Sequence, residues 1–144
     1  SPECGVRDTR RIIGEQTVTA DDYLSGRNWP DGVSYSYYPI DLHSDEDTGL
    51  DCRQLEEGVV PSIPRSAMIP KGARNFLVAG RCISADNIAN SALRVQASCM
   101  AMGQAAGAMA VLSVLNKVNV ADLAILDIHA LLKKHNAIVP ELKA

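Results

Sequence analysis

What the sequence lacks sets the first limits on its function. No G-x-G-x-x-G occurs in its 144 residues: Gly80 has no glycine two or five positions on, and Gly103 and Gly107 have the wrong spacing. The glycine-rich turn that lays a dinucleotide pyrophosphate on a helix N-terminus is therefore missing. No C-x-x-C joins the four cysteines, Cys4, Cys52, Cys82 and Cys99. They read as free thiols in a reducing compartment such as the cytoplasm, not as a zinc or disulfide framework, with Cys82 and Cys99 in a segment expected to be buried. No field of one sign dominates either, because 14 basic and 17 acidic residues leave a net charge of −3 with Lys and Arg scattered. Neither nucleic acid nor an anionic membrane surface is indicated as a partner. Repeats and low-complexity segments are absent. The chain opens Ser1-Pro2-Glu3-Cys4, without an initiator Met or a signal peptide, as expected of a piece cut from a longer protein. Its length still suffices for one modest domain with a core.

The longest absence is of charge. From residue 95 to 116 the only ionisable side chain is the Cys99 thiol, and Ala, Gly and Met dominate. This reads as a helix with almost no solvent-facing side, one that needs a sheet or another domain around it. Such a run, with Gly103-x-x-x-Gly107 inside it, also meets the coarse criteria for a membrane span and its packing motif. Ala and Gly contribute little to insertion, however, and Gln96, Ser98 and Gln104 are polar, so a close-packed core without a membrane span is expected. Gly103 and Gly107, each costing about 1 kcal/mol against Ala within a helix, then serve close approach of helix to sheet. The sheet side is expected from residues 76–79, an apolar run between the turn-like Pro70-Lys71-Gly72 and Gly80, which suits a strand buried on both faces.

Upstream, Ile12-Ile13 between charged neighbours predicts a short strand within residues 9–18. Thr19, followed by Asp21 and Asp22, has the chemistry of a helix start, with Gly26 as its stop. Asn28-Trp29-Pro30-Asp31-Gly32 is a turn, after which Val33, Tyr35 and Tyr37 alternate with serines before Tyr38-Pro39-Ile40-Asp41-Leu42-His43, predicting one or two antiparallel strands. Residues 44–58 are acidic and polar, and their Asp45-Glu46-Asp47 cluster lacks the ligand spacing of a known calcium loop; a solvated loop and no metal are expected. Pro61, Pro64 and Pro70 make 59–70 an extended edge or crossing segment. After a break at 116–119, Asp127 is placed to cap a last helix with Ile128, Leu131 and Leu132 on one face. Lys133, Lys134 and His135 sit near its C-terminus, where cations suit the helix dipole.

One order of residues is more specific than any of these patterns: a strand-like run, Gly80-Arg81, Cys82-Ile83-Ser84-Ala85, Leu93-Arg94-Val95, then Cys99-Met100-Ala101-Met102-Gly103-Gln104-Ala105-Ala106-Gly107. It resembles the C-terminal part of bacterial FAD-dependent oxidoreductases, the group that includes xanthan-lyase-related oxidoreductases, and more distantly fumarate reductase and aspartate oxidase flavoproteins. Weaker matches run through Arg10-Arg11-Ile12-Ile13-Gly14-Glu15, Tyr38-Pro39-Ile40-Asp41-Leu42-His43 and Ile63-Pro64-Arg65-Ser66-Ala67-Met68-Ile69-Pro70-Lys71-Gly72. The missing G-x-G-x-x-G is the departure from the family.

The resemblance implies an α+β piece of an α/β, Rossmann-like flavoprotein. Residues 1–70 would be the C-terminal part of the substrate (cap) domain, with antiparallel strands. Residues 71–116 would return to the FAD-binding domain with one flavin-domain strand and the long buried Ala/Gly-rich helix, and 117–144 would be a C-terminal helical segment. A glycine ending a strand admits a ligand closely, and a helix N-terminus turns free N–H groups toward electron-rich atoms. Such donors suit a flavin edge that gains negative charge on reduction. By resemblance, Gly80 and Arg81 lie along the ribityl chain, and Arg94, Val95 and Gln96 face the flavin pyrimidine edge. Arg65, with Arg10, Arg11 and Arg94, offers a bidentate fork to an anionic small-molecule substrate, and His43 is the candidate proton donor; His43 and Arg65 are thus the catalytic candidates. Because the pyrophosphate turn is absent, the chain alone is expected not to hold FAD, to be catalytically silent, and to cover its bare edge by self-association. The alternative is a self-contained α+β binding or interaction module without a cofactor, in which the Ala-rich helix is simply core.

Overall fold

The computed structural model describes residues 8–43 and 50–142, excepting the side chains of residues 43, 50 and 51. Short polar side chains set its helix starts. Thr19, in extended backbone, caps α1 (Ala20–Leu24): its hydroxyl accepts from the Asp22 N–H while the Asp22 carboxylate accepts from the Thr19 N–H. This reciprocal capping box satisfies two orphan donors, and Gly26 follows the helix at φ +67°. The Asp22 carboxylate also receives the Arg27 guanidinium at 2.7 Å, and Arg27 lies 3.7 Å above the centre of the Trp29 ring. Between Gly80 and the uncharged run stands a second helix. Asp86 caps α2 (Asn87–Leu93), accepting from the Ala89 N–H with one oxygen and from the Ala20 N–H with the other, each at 2.7 Å. One carboxylate thus fixes the beginnings of two helices.

Four short strands make two antiparallel pairs. β1 (Gly32–Tyr35) pairs with β4 (Ser62–Pro64) across an irregularity between Gly32 and Ser34. β2 (Ile40–His43) pairs with β3 (Leu50–Arg53) from Ile40 opposite Arg53 to His43 opposite Leu50. Two strands form where one or two are expected between 33 and 43, and they belong to different pairs. β3 falls in the middle of the 44–58 stretch that reads as a solvated loop, while Asp45-Glu46-Asp47, like Cys4, lies outside the described residues. β4, bracketed by Pro61 and Pro64, is the short edge segment its prolines require. Ile12-Ile13 forms no strand. The chain there makes two isolated bridges, Gly14 to Pro70 and Val18 to Ala85, with Ile12 N–H on the Cys82 carbonyl at 2.9 Å, and Ile13 is exposed.

The uncharged run forms α3 (Gln96–Asn116), 21 residues ended by Lys117 at φ 54°. It buries one seam, Ser98, Met102, Ala105, Met109 and Ser113, at the three- and four-residue spacing of a single helix face. The expectation of almost no solvent-facing side is overturned. Met100 is 75% exposed and Val114 76%, and a side chain placed at Gly103 or Gly107 would meet no atom within 4 Å. These glycines do not bring α3 close to a sheet among the described residues. The reason lies at 76–79, which forms no strand: it has no parallel neighbour among the described residues, its Val78 N–H donates to the Met68 carbonyl at 2.8 Å, and Phe76 is 56% exposed. With no sheet over it, the second face of α3 stays bare. By length and composition α3 could cross a membrane, though 28% of its most apolar stretch is buried within the fold.

The last helix, α4 (Ile125–Lys134), buries Ile128, His129 and Leu132 against α3 and β1. Asp127 sits in its first turn, whereas Ala124 holds the cap position expected of Asp127. Lys133 and Lys134 occupy the last turn. The Nε2 of His129, 2.7 Å from the Gly32 carbonyl, donates to it. The fold is thus α+β, with four short antiparallel strands and four α-helices among the described residues.

Burial works against ionisation of Asp22, but hydrogen bonds from Arg27 and Thr19 outweigh it and hold its carboxyl below the ordinary aspartate value. A depressed folded-state pKa contributes stability that is present above the unfolded value and lost as pH falls through the folded one. Urea melts should therefore show stability falling below about pH 4, with a smaller acid-induced loss in Asp22→Ala; equal acid sensitivity of the two proteins would contradict this role for Asp22.

Candidate functional site at the start of the long helix

The first turn of α3 is left open. Its cap residue Val95 is extended, at φ −69° and ψ 155°, and no side chain caps the helix. The N–H of Cys99 closes the first turn on the Val95 carbonyl at 2.9 Å. The amides of Gln96, Ala97 and Ser98 are then the orphan donors of the helix, at its electropositive end, and Gln96 and Ala97 are exposed.

A serine at this place can turn its hydroxyl back onto such amides. Ser98 does not. It is buried, and its Oγ lies 2.8 Å from the Oγ of buried Ser36, which lies 3.0 Å from the Tyr23 phenol oxygen. The phenol lies 2.9 Å from the Tyr38 carbonyl and accepts from the Tyr38 N–H at 3.2 Å. Proton positions follow from valence: a carbonyl oxygen only accepts, so the single phenol hydrogen goes to Tyr38, Ser36 donates to Tyr23, and Ser98 donates to Ser36. Burial raises the Tyr23 pKa despite these contacts, so the phenol keeps that hydrogen. The chain ties α1, the β1–β2 connection and the start of α3 together.

Gly80 packs on the same turn. It begins a 3-10 turn, Gly80–Cys82, is buried, and holds φ +81°; a Cβ there would sit 3.5 Å from Cys99 Sγ and 3.7 Å from Cys99 Cβ. Burial pushes the Cys99 thiol pKa up against the pull of Arg81, and Cys99 Sγ donates to the Arg94 carbonyl at 3.3 Å. Cys99 is a neutral, partly buried thiol, whereas Cys82, expected to be buried, is exposed. Arg94 ends α2 as its C-cap, and its guanidinium reaches the Asp41 carbonyl at 3.5 Å, while the Asp41 N–H donates to Ser91 Oγ at 3.1 Å. Gly80, Arg81, Arg94, Val95 and Gln96 therefore come together around the opening turn of α3, with β2 alongside.

The other candidates are placed differently. The backbone of His43 ends β2, two residues beyond Asp41, but its side chain lies outside the described residues. Arg65 opens the 3-10 turn Arg65–Met68 and donates from Nη1 to the Leu123 carbonyl at 2.6 Å, which ties it to the C-terminal segment. Arg11 pairs with Asp8, and Arg10 is exposed. Among the described residues no three metal-ligating side chains cluster. The residues that sequence reasoning missed are Ser36, Ser98, Tyr23 and Asp86. Only Asp86 had a local signal, a capping residue ahead of apolar Ala89, Ala92 and Leu93. Uncapped amides beside a glycine at positive φ and an arginine fit an electron-rich ligand edge.

A family model described as FAD dependent oxidoreductase matches residues 1–132. No curated protein and no solved structure matches the chain.

The positive φ of Gly80 predicts its response to substitution. The contact distance leaves room for one methyl group, so Gly80→Ala should cost about 1–2 kcal/mol, the backbone penalty for an L residue in the left-handed region. Chemical denaturation measures it, and an unchanged midpoint would show that the turn does not require glycine.

Proposed function

The chain belongs to the FAD-dependent oxidoreductase family, and from that premise we propose that it is the C-terminal portion of such an enzyme. In this reading it supplies the pyrimidine-edge and ribityl side of the flavin site and part of the pocket for a small-molecule substrate. The observation that carries the reading is the uncapped first turn of α3, with its exposed Gln96 and Ala97. FAD, when bound, would supply the redox chemistry, and negative charge would develop at its pyrimidine edge. The amides of Gln96, Ala97 and Ser98 stabilise that charge, because oriented donors at a helix N-terminus are already in place when it develops. Arg94, tethered to the Asp41 carbonyl, adds a fixed positive charge on the same side. Gly80 and Arg81 line the ribityl chain, and the 3-10 turn they begin is seated on α3 through Cys99. His43 and Arg65 serve the substrate, as proton donor and anion-binding cation. The run at 76–79 and the bare face of α3 are covered by the dinucleotide-binding part of the enzyme, whose glycine-rich turn holds the FAD pyrophosphate.

Gln96→Pro isolates the amide contribution. Gln96 is the first residue of α3, a position where proline is favoured, and Val95 already has the extended backbone that precedes proline. The substitution removes one N–H donor and leaves the helix intact. In the whole gene product carrying this chain, purified protein should show a flavin spectrum, and Gln96→Pro should weaken flavin retention roughly tenfold, the order of one charge-assisted hydrogen bond. A colourless protein after FAD reconstitution, or full retention in the variant, would count against the assignment. Titrated by flavin fluorescence, the isolated 144-residue chain should bind no FAD at micromolar concentration, and light scattering should find it self-associated; tight binding by a monomer would place the cofactor elsewhere.

A further inference from the structure

We infer that the buried hydroxyl chain from Ser98 through Ser36 to Tyr23 is a positioning device that holds the α3 amides open for the flavin, and so sets the flavin reduction potential. The inference rests on the cofactor reading above and adds residues that do not touch the ligand. Ser98 is the third residue of α3, where its hydroxyl competes as an acceptor for the amides of its own turn. Here that hydroxyl faces inward, 2.8 Å from Ser36 Oγ. Its hydrogen is committed because the Tyr38 carbonyl, at 2.9 Å, takes the only phenol hydrogen of Tyr23 and leaves Ser36 to donate to Tyr23 and Ser98 to donate to Ser36.

Two consequences follow. The amides of Gln96, Ala97 and Ser98 remain without an internal acceptor, consistent with a helix that no side chain caps. The turn carrying them is also anchored to Tyr23, a fully buried residue of α1, and not only to its own helix.

Removing the anchor should let the first turn relax, or in the case of Ser36 release the Ser98 hydroxyl to turn outward. Either change weakens donors whose interaction is strongest when the flavin edge is negative, so the reduced cofactor loses more affinity than the oxidised one. The test uses the flavin-loaded full gene product. Ser98→Ala and Ser36→Ala should retain oxidised flavin but lower the preference for the reduced form about tenfold, a fall of roughly 30 mV in the two-electron midpoint potential, read by spectroelectrochemistry with thermal unfolding in parallel. Variants with lowered melting temperature but unchanged potential would assign the chain to stability and overturn the inference, as would failure of both variants to fold. A wild-type protein without flavin would overturn the cofactor reading and this inference together, whereas flavin retained at an unaltered potential would overturn this inference alone.

Discussion

The inward turn of the Ser98 hydroxyl is the contact on which the arrangement of the chain depends. It lies where three parts of the sequence meet: α1 through Tyr23, the β1–β2 connection through Ser36, and the opening of α3. Groups this deeply buried are costly to leave unpaired, so the network specifies one relative placement of these elements in a way that apolar packing alone would not. The inward orientation of Ser98 leaves the start of α3 presenting amides without a side-chain acceptor. A structural constraint in the core and a chemical property of the surface are two ends of one chain of oxygens.

A second constraint acts at the start of α1. The carboxylate of Asp86 caps α2 and reaches across to the first residue of α1, while the Val18 N–H meets the Ser84 carbonyl and the Asp86 N–H meets the Val18 carbonyl. These bonds hold the segment after Gly80 against the segment before α1, although the two are far apart in sequence. Gly80 and Arg81 therefore arrive beside α3 by tertiary placement, and the left-handed backbone of Gly80 lets the turn sit on Cys99.

α3 shows how far amphipathic reasoning extends when polarity does not vary. Its helical state follows from its residues, since Ala, Met, Gln and Leu are strong helix formers and two glycines across 21 positions are tolerable. Which face it buries does not follow, because a helix with small or apolar residues all round has no preferred side. The seam through Met102, Ala105 and Met109 is chosen by β1 and α4, and the glycine face is left to whatever lies beyond these residues. The run at 76–79 has the same ambiguity. Its composition suits a doubly buried strand, but a strand exists only where a neighbour offers a ladder of donors and acceptors.

The sequence by itself determined the features whose causes are local. The Thr19 cap with its acidic first turn, the stop at Gly26, the proline-limited edge at 61–64, the extent of the uncharged helix and the family of the chain all rest on residues within a few positions of one another or on an ordered motif. The tertiary structure decided what depends on partners distant in the chain: which strands pair, which side of α3 is covered, the exposure of Cys82, the tie of Arg65 to Leu123, and the convergence of Gly80, Arg94 and Val95 at one helix start. Ser36 and Ser98 mark the division most clearly. Each is an unremarkable serine in its own segment, and their pairing across 62 positions arises only when burial removes water as the competing partner.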